Sequence, residues 1–270
     1  MDILDEIKEL QQIELGILLD VDRACREEGI EYFLGEGTLL GAVRHHGFIP
    51  WDDDVDLIMK RPEYERFLQV AQRALGEKYQ VQHFTTVENY WSPFIKIRLV
   101  AGEQKYRQQH IAHLTRNNGP YIDIFPMEYV PEEDSLAQRR QSFKIRLFRG
   151  MLSYKLGLRR ADTLKKKIVR LCACFYSVKR IHKTLDKTFK KYAALGKTDY
   201  LATLASYHDY KCQTVPASVY DEQLFVDFEG HQLPIPKEYD YLLTKIYGDY
   251  MTPPPLDQQV IKHHFEDEDA

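Results

Sequence analysis

Apolar side chains at Ile3, Ile7, Leu10, Ile17, Leu18, Val21, Ala24 and Cys25 recur at helical spacing, which predicts a long amphipathic helix over residues 3–28. Gly29 ends it. Residues 31–34 are a short, β-prone run that leads into Gly35-Glu36-Gly37-Thr38. Thr38 is placed to cap a short helix carrying Leu39, Leu40, Ala42 and Val43. After a loop with Gly47 and Pro50, residues 55–59 read as a strand. Pro62 then opens a helix to about residue 75, with Tyr64, Phe67, Leu68 and Ala71 on one face. Over 94–100 the pattern alternates, setting Ile95, Ile97 and Leu99 against Lys96 and Arg98. Residues 121–125 form another short strand, with Asp123 among Ile122, Ile124 and Phe125. The region 137–193 reads as mostly helical, broken near Gly157 and Ser177, and Phe143, Leu147, Leu152, Ile168, Leu171 and Phe175 are its expected core side. A proline-rich stretch of short elements covers 215–255, and the chain ends in the acidic residues Glu266, Asp267, Glu268 and Asp269.

Composition adds the class. The chain has 270 residues, 44% hydrophobic and 29% charged, as in an ordinary globular protein with a sizeable core. It contains no apolar run of about 18 residues, so no membrane-spanning helix is expected. The N-terminus lacks the basic start and apolar centre of a signal peptide, which points to the cytoplasm. Cys25, Cys172, Cys174 and Cys212 have neither CxxC nor zinc spacing, so inert thiols are expected.

The net charge of −4 conceals a segregation. Residues 139–191 hold 18 Lys and Arg against two acids, a balance of +16, while the remainder stands at −20. Such a field attracts polyanions. Two readings of the basic region stand open: a solvated cationic face, or a surface for anionic lipid or a lipid-linked glycan, where each basic residue contributes about 1 kcal/mol. Nucleic acid ranks low, because no recognition motif is present and the rest of the chain is acidic.

The candidate chemistry lies in residues 35–59, where Asp52, Asp53, Asp54 and Asp56 precede the apolar Leu57, Ile58 and Met59. A strand that starts early enough puts Asp52, Asp54 and Asp56 on one face. Carboxylates so placed repel one another, and a hard cation such as Mg²⁺ or Mn²⁺ relieves this. The competing readings are a solvated loop and a structural calcium site. Gly37-Thr38 upstream, on a strand-to-helix turn suited to phosphate, and the isolated Asp123 downstream favour catalysis.

This arrangement resembles the nucleotidyltransferase fold of the DNA polymerase β type. More closely, the chain resembles the LicD family, which includes fukutin and fukutin-related protein. The matching blocks are GTLLGAVRHHGFIPWDDDVDL at 37–57, IKIRL at 95–99, YIDIFPME at 121–128 and PIPKEYDYLLTKIYGDYMTPPP at 234–255. The resemblance implies an α+β fold: a mixed sheet flanked by helices, with a catalytic core over 1–136, a basic helical insertion over 137–193 and a C-terminal segment, 194–270, completing the core. It also implies transfer of phosphocholine from CDP-choline to a sugar hydroxyl of a teichoic acid or other surface glycan precursor. Asp54 and Asp56, with Asp52, would hold Mg²⁺ or Mn²⁺. Asp123 would complete that site and take the proton from the attacking hydroxyl, and CMP would leave. Asp53 is assigned to loop support.

Further candidates surround this set. Gly37, Thr38 and Arg44 are assigned to donor phosphate. Lys96 and Arg98 join them if their strand face is the one bearing the acids; otherwise they are solvated. Trp51 is the candidate for the choline ammonium, which aromatic faces hold. His45, His46, His263 and His264 are read as structural. A nucleotidyltransferase acting on a sugar or small molecule, and a non-catalytic binding protein of the same fold, are the alternatives.

Overall fold

The computed structural model describes residues 3–100, 106–196, 198–206 and 208–259. His263, His264 and the acidic tail lie outside the described residues.

Helix α1 (Ile3–Glu28) follows the apolar stripe, and Gly29, at φ +61, ends it in the left-handed region. Strand β1 (Phe33–Leu34), helix α2 (Glu36–His45), strand β2 (Asp56–Lys60) and helix α3 (Arg61–Leu75) come next. Strands β3 (Tyr79–Gln82), β4 (Ile95–Leu99) and β5 (Tyr121–Val130) complete one mixed sheet in the order β1-β2-β5-β4-β3. Only β2 and β5 pair in parallel; the other pairs are antiparallel. Helices α1 and α3 pack on each other and on β5.

The insertion is helical as expected: α4 (Leu136–Lys155), α5 (Leu164–Cys174) and α6 (Val178–Phe189), capped by Ser135, Thr163 and Ser177. Helix α4 packs on both α5 and α6. Helix α7 (Lys191–Ala194), strand β6 (Tyr200–Ala202), helix α8 (Tyr210–Gln213) and strand β7 (Val215–Pro216) return to the sheet, where β6 pairs with β5. A hairpin of β8 (Gln223–Phe228) and β9 (His231–Pro236) precedes helix α9 (Tyr239–Tyr247). The architecture is therefore α+β, a mixed sheet flanked by helices.

Three expectations need correction. The strand expected over 121–125 runs on to Val130. Pro126 falls between Ile124, the last residue paired with β4, and Glu128, the first paired with β6, so its missing N–H interrupts neither of those ladders. Thr38 does not cap α2, which begins at Glu36 after Gly35. The Thr38 hydroxyl instead accepts a 2.8 Å hydrogen bond from the Asp56 amide and ties α2 to β2. Of the side chains expected to form the core of the insertion, Leu152 is buried and Leu147 half-buried, but Phe143, Ile168, Leu171 and Phe175 are exposed. The α4 face that packs inward carries Ile145, Phe148, Met151 and Leu152, and α5 meets it through Ala173 and Val169, which leaves the other face of α5 outward.

Candidate active site

Strand register sets the centre of the site. Asp56 on β2 lies opposite Asp123 on β5, and Lys96 on β4 lies opposite Asp123 from the other side. Three adjacent strands thus hold two acids and a cation in one row on one face. All three side chains are buried. Lys96 Nζ donates to both carboxylate oxygens of Asp123, at 2.6 and 2.9 Å, and stands 3.7 Å from the centroid of the Tyr121 ring. Burial pulls the Lys96 ammonium below its usual pKa, with Asp123 opposing the shift. Burial, then Asp54, Asp123, Glu36 and Asp52, pushes the Asp56 carboxyl well above the usual carboxylate range.

Asp52 to Val55 do not belong to the strand, so the expected alternation does not join Asp52 and Asp54 to Asp56. The two residues of β1 pair with Leu57 and Ile58, and β5 reaches back only to Val55, whose carbonyl accepts from the Asp123 amide at 2.8 Å. These residues form a pinned loop instead. Gln11 on α1 donates from Nε2 to the carbonyls of Ile49 (3.1 Å) and Asp52 (2.8 Å), and the Asp52 amide closes a turn on Ile49 at 2.9 Å. The Asp52 carboxylate lies against the Cα of Gly37, where a Cβ would collide with its Oδ2, which explains glycine at that position. Asp53 is buried; Asp54 is half-buried.

Glu14 and Glu36, which sequence reasoning did not single out, and Tyr247 of the C-terminal family block converge here. Glu14 on α1 is buried, its Oε2 has no hydrogen-bond partner, and it feels Asp54, Asp53, Asp52 and Asp123. Burial first, and then those acids, raises its pKa well above the ordinary value. Glu36 opens α2 at φ +47, a conformation that costs a non-glycine residue roughly 1–3 kcal/mol. Gln213 Nε2 donates to it at 2.9 Å, and His208 Nε2 stands 3.2 Å from its Oε2. Tyr247 feels Glu36, Asp56, Asp52 and Asp54, which add to burial in raising its pKa. Tyr121 also feels Asp123 and Asp54; Trp51 is half-buried with its ring edge-on to His45 at 6.2 Å.

Arg98, Arg44 and His46 each bond into the surrounding framework. Arg98 shares the face of Lys96 but is fully buried, and its guanidinium donates to Gln82 Oε1 (2.9 Å), Gln108 Oε1 (2.9 Å) and the Gly119 carbonyl. A lysine reaches at most part of that set. Arg98→Lys is expected to lower stability by on the order of 3 kcal/mol, measured by urea unfolding, because buried acceptors lose their donors. Arg44 is half-buried and feels Asp52, and its Nη1 donates to the Tyr250 carbonyl at 2.8 Å. His46 and Phe48 are gripped by the β8–β9 turn: the Glu229 amide donates to the His46 carbonyl (2.9 Å), and Glu229 Oε1 accepts from the Phe48 amide (3.1 Å).

As the side chains stand, no three His, Cys, Asp or Glu groups among the described residues close round a point as metal ligands do. The donor set nonetheless suits a hard cation: carboxylates only, one with an orphaned buried oxygen and one held above its ordinary pKa by burial and then by neighbouring acids.

The nucleotidyltransferase-domain model described as LicD/FKTN/FKRP matches residues 29–149, which span α2, the pinned loop, β2, β4 and β5. Over 270 residues the chain is 30% identical to the lipopolysaccharide cholinephosphotransferase LicD of Haemophilus influenzae, covering 97% of each chain. The chain belongs to the LicD family. An uncharacterised protein of Rickettsia prowazekii is 46% identical over 117 residues, 43% of this chain and 39% of that one. An uncharacterised Rickettsia typhi protein is 34% identical over 129 residues, 47% of this chain and 38% of its own length. The LicD-family match with Haemophilus influenzae extends through the basic helices and the C-terminal third, beyond the portion that the domain model covers.

Proposed function

We propose that this LicD-family chain is a phosphocholine transferase that moves phosphocholine from CDP-choline to a sugar hydroxyl of a cell-surface glycan precursor, of the lipopolysaccharide or teichoic acid kind. The observation that carries the reading is the end-to-end match to a cholinephosphotransferase. The row of Asp56, Asp123 and Lys96 gives it a site. The acceptor oxygen bonds to the phosphorus that bears choline, the bond from that phosphorus to the bridging oxygen breaks, and CMP leaves. Asp123 takes the hydroxyl proton, and Lys96 holds it ionised and oriented for that task. Asp54 and Asp56, with Asp52, would hold Mg²⁺ or Mn²⁺, and Asp123 would complete the set. The ion would supply charge stabilisation at the transferring phosphoryl group. Arg44 and Lys96 add positive charge for the donor phosphates. The tie of α2 to β2 through Thr38, with Gly37 against the Asp52 carboxylate, fits a nucleotidyltransferase fold, and the aromatic ring of Tyr247 beside Glu36 suits a quaternary ammonium.

The test is incubation with CDP-choline, Mg²⁺ and a glycan acceptor. Release of CMP with phosphocholine on the acceptor is the expected result. Nucleotide on the acceptor would establish the nucleotidyltransferase alternative in its place.

A further inference from the structure

Helix α5 turns its apolar residues the wrong way for a globular core. It packs on α4 through Val169, which would meet a Cβ at Gly150 at 3.7 Å, and through the buried Ala173. Leu164, Ile168, Leu171 and Phe175 recur at i, i+4, i+7 and i+11, so they share one stripe on the opposite side. Their exposures are 75%, 53%, 63% and 77%. Four large side chains in one exposed stripe exceed the scattered apolar residues that any surface carries. The stripe is bordered by the exposed Lys165 and Lys167, and Lys166 is turned to an ion pair with Asp162 at 2.7 Å. The surrounding region, residues 139–191, has 18 basic residues and two acids. No helix among the described residues is long and apolar enough to cross a membrane.

We propose that α5 is a membrane-docking helix, whose stripe Leu164, Ile168, Leu171 and Phe175 enters the interfacial layer of an anionic bilayer while Lys165, Lys167 and neighbouring basic residues meet the lipid headgroups. Charge complementarity selects this occupant. A second copy of the chain would bring two strongly cationic regions together, whereas an anionic bilayer accepts both the apolar stripe and its basic border. The helix, capped by Thr163 through the Lys166 amide, is already formed, so docking requires little ordering. The proposal rests on this surface alone and survives or fails apart from the phosphotransfer reading.

The test is cosedimentation of the full chain with vesicles of phosphatidylcholine mixed with phosphatidylglycerol, against vesicles of phosphatidylcholine alone. Binding only to the mixed vesicles, weakened by salt, is expected. A variant with Leu164→Ser, Ile168→Ser, Leu171→Ser and Phe175→Ser keeps the charge and should bind the mixed vesicles roughly tenfold or more weakly. Its thermal unfolding should stay close to that of the parent, since each of these side chains is more than half exposed. Ile168→Trp should shift its emission to the blue on vesicle binding and be quenched by brominated lipid. Unchanged binding by the serine variant, or an unshifted tryptophan, overturns the proposal, leaving at most a peripheral electrostatic contact. So does a dimer in light scattering that the serine changes dissociate, without vesicle binding by the parent, because the stripe would then be a self-interface.

Discussion

Asp56→Asn and Asp123→Asn should each lower kcat for CMP release on the order of 10³-fold, and both proteins should remain folded. The size follows from the position of the two groups: each is buried in the row where charge would be handled during transfer, and removing one preorganised electrostatic group of that kind costs factors of this order. Folding should survive Asp56→Asn because the neighbouring acids and burial already disfavour its charged form, so a neutral isostere relieves the apo protein. Asp123→Asn is less innocent, since it leaves Lys96 buried without its carboxylate. Thermal unfolding alongside the kinetics separates the two effects. Asp53→Asn, outside the row, should keep turnover within about tenfold of the parent. If Asp56→Asn turns over like the parent, the assignment of Asp56 to the metal and donor site is wrong.

A second large effect should appear in the metal-free protein as pH rises. Glu14 and Asp56 both have folded-state pKa values above their ordinary 4.5 and 3.8. The folded state therefore holds protons that the unfolded chain has released, and stability falls as pH climbs from about those ordinary values towards the raised ones. Each proton so held tilts stability by about 1.4 kcal/mol per pH unit. Lys96 contributes the opposite sign, stability rising with pH between its lowered folded pKa and the unfolded 10.5. The melting temperature in a chelator should therefore drop between mildly acidic and neutral pH. Mg²⁺ or Mn²⁺ at neutral pH should recover much of the loss, because a cation binding the folded state alone stabilises it by mass action. Glu14→Gln and Asp56→Asn should flatten the slope. A melting temperature that is flat or rises over that range would show that neither acid is held protonated by the fold.

The sheet was largely legible because β4 alternates with period two, while β2 and the first half of β5 are short apolar runs each broken by an acid, as in strands buried on both faces. What periodicity does not encode is register: Asp56, Asp123 and Lys96 meet across 67 positions of chain through strand pairing alone. β3, the β8–β9 hairpin and β6 escaped because each is short or proline-bearing, and tertiary pairing rather than local propensity makes them strands. Glu14 left a readable signal. The α1 stripe Ile7, Leu10, Ile17, Leu18 and Val21 has an acid where the spacing calls for an apolar side chain, and a charged residue on a buried face needs a reason. The outward stripe of α5 had the opposite fault: its pattern is that of a core helix, and nothing local says which face meets protein and which meets another phase.

The hold of Glu229 on His46 and Phe48, with that of Gln213 on Glu36 and of Tyr250 on Arg44, has a consequence for biosynthesis. Asp52, Asp53, Asp54 and Asp56 are synthesised well before Gln213, Glu229 and Tyr250, which clamp α2 and the residues that follow it. These contacts span 177 to 206 positions, the class of pairing that forms slowly. A nascent chain therefore carries α2 unclasped, beside an acid loop already held by Gln11, until residues 213–250 have been made.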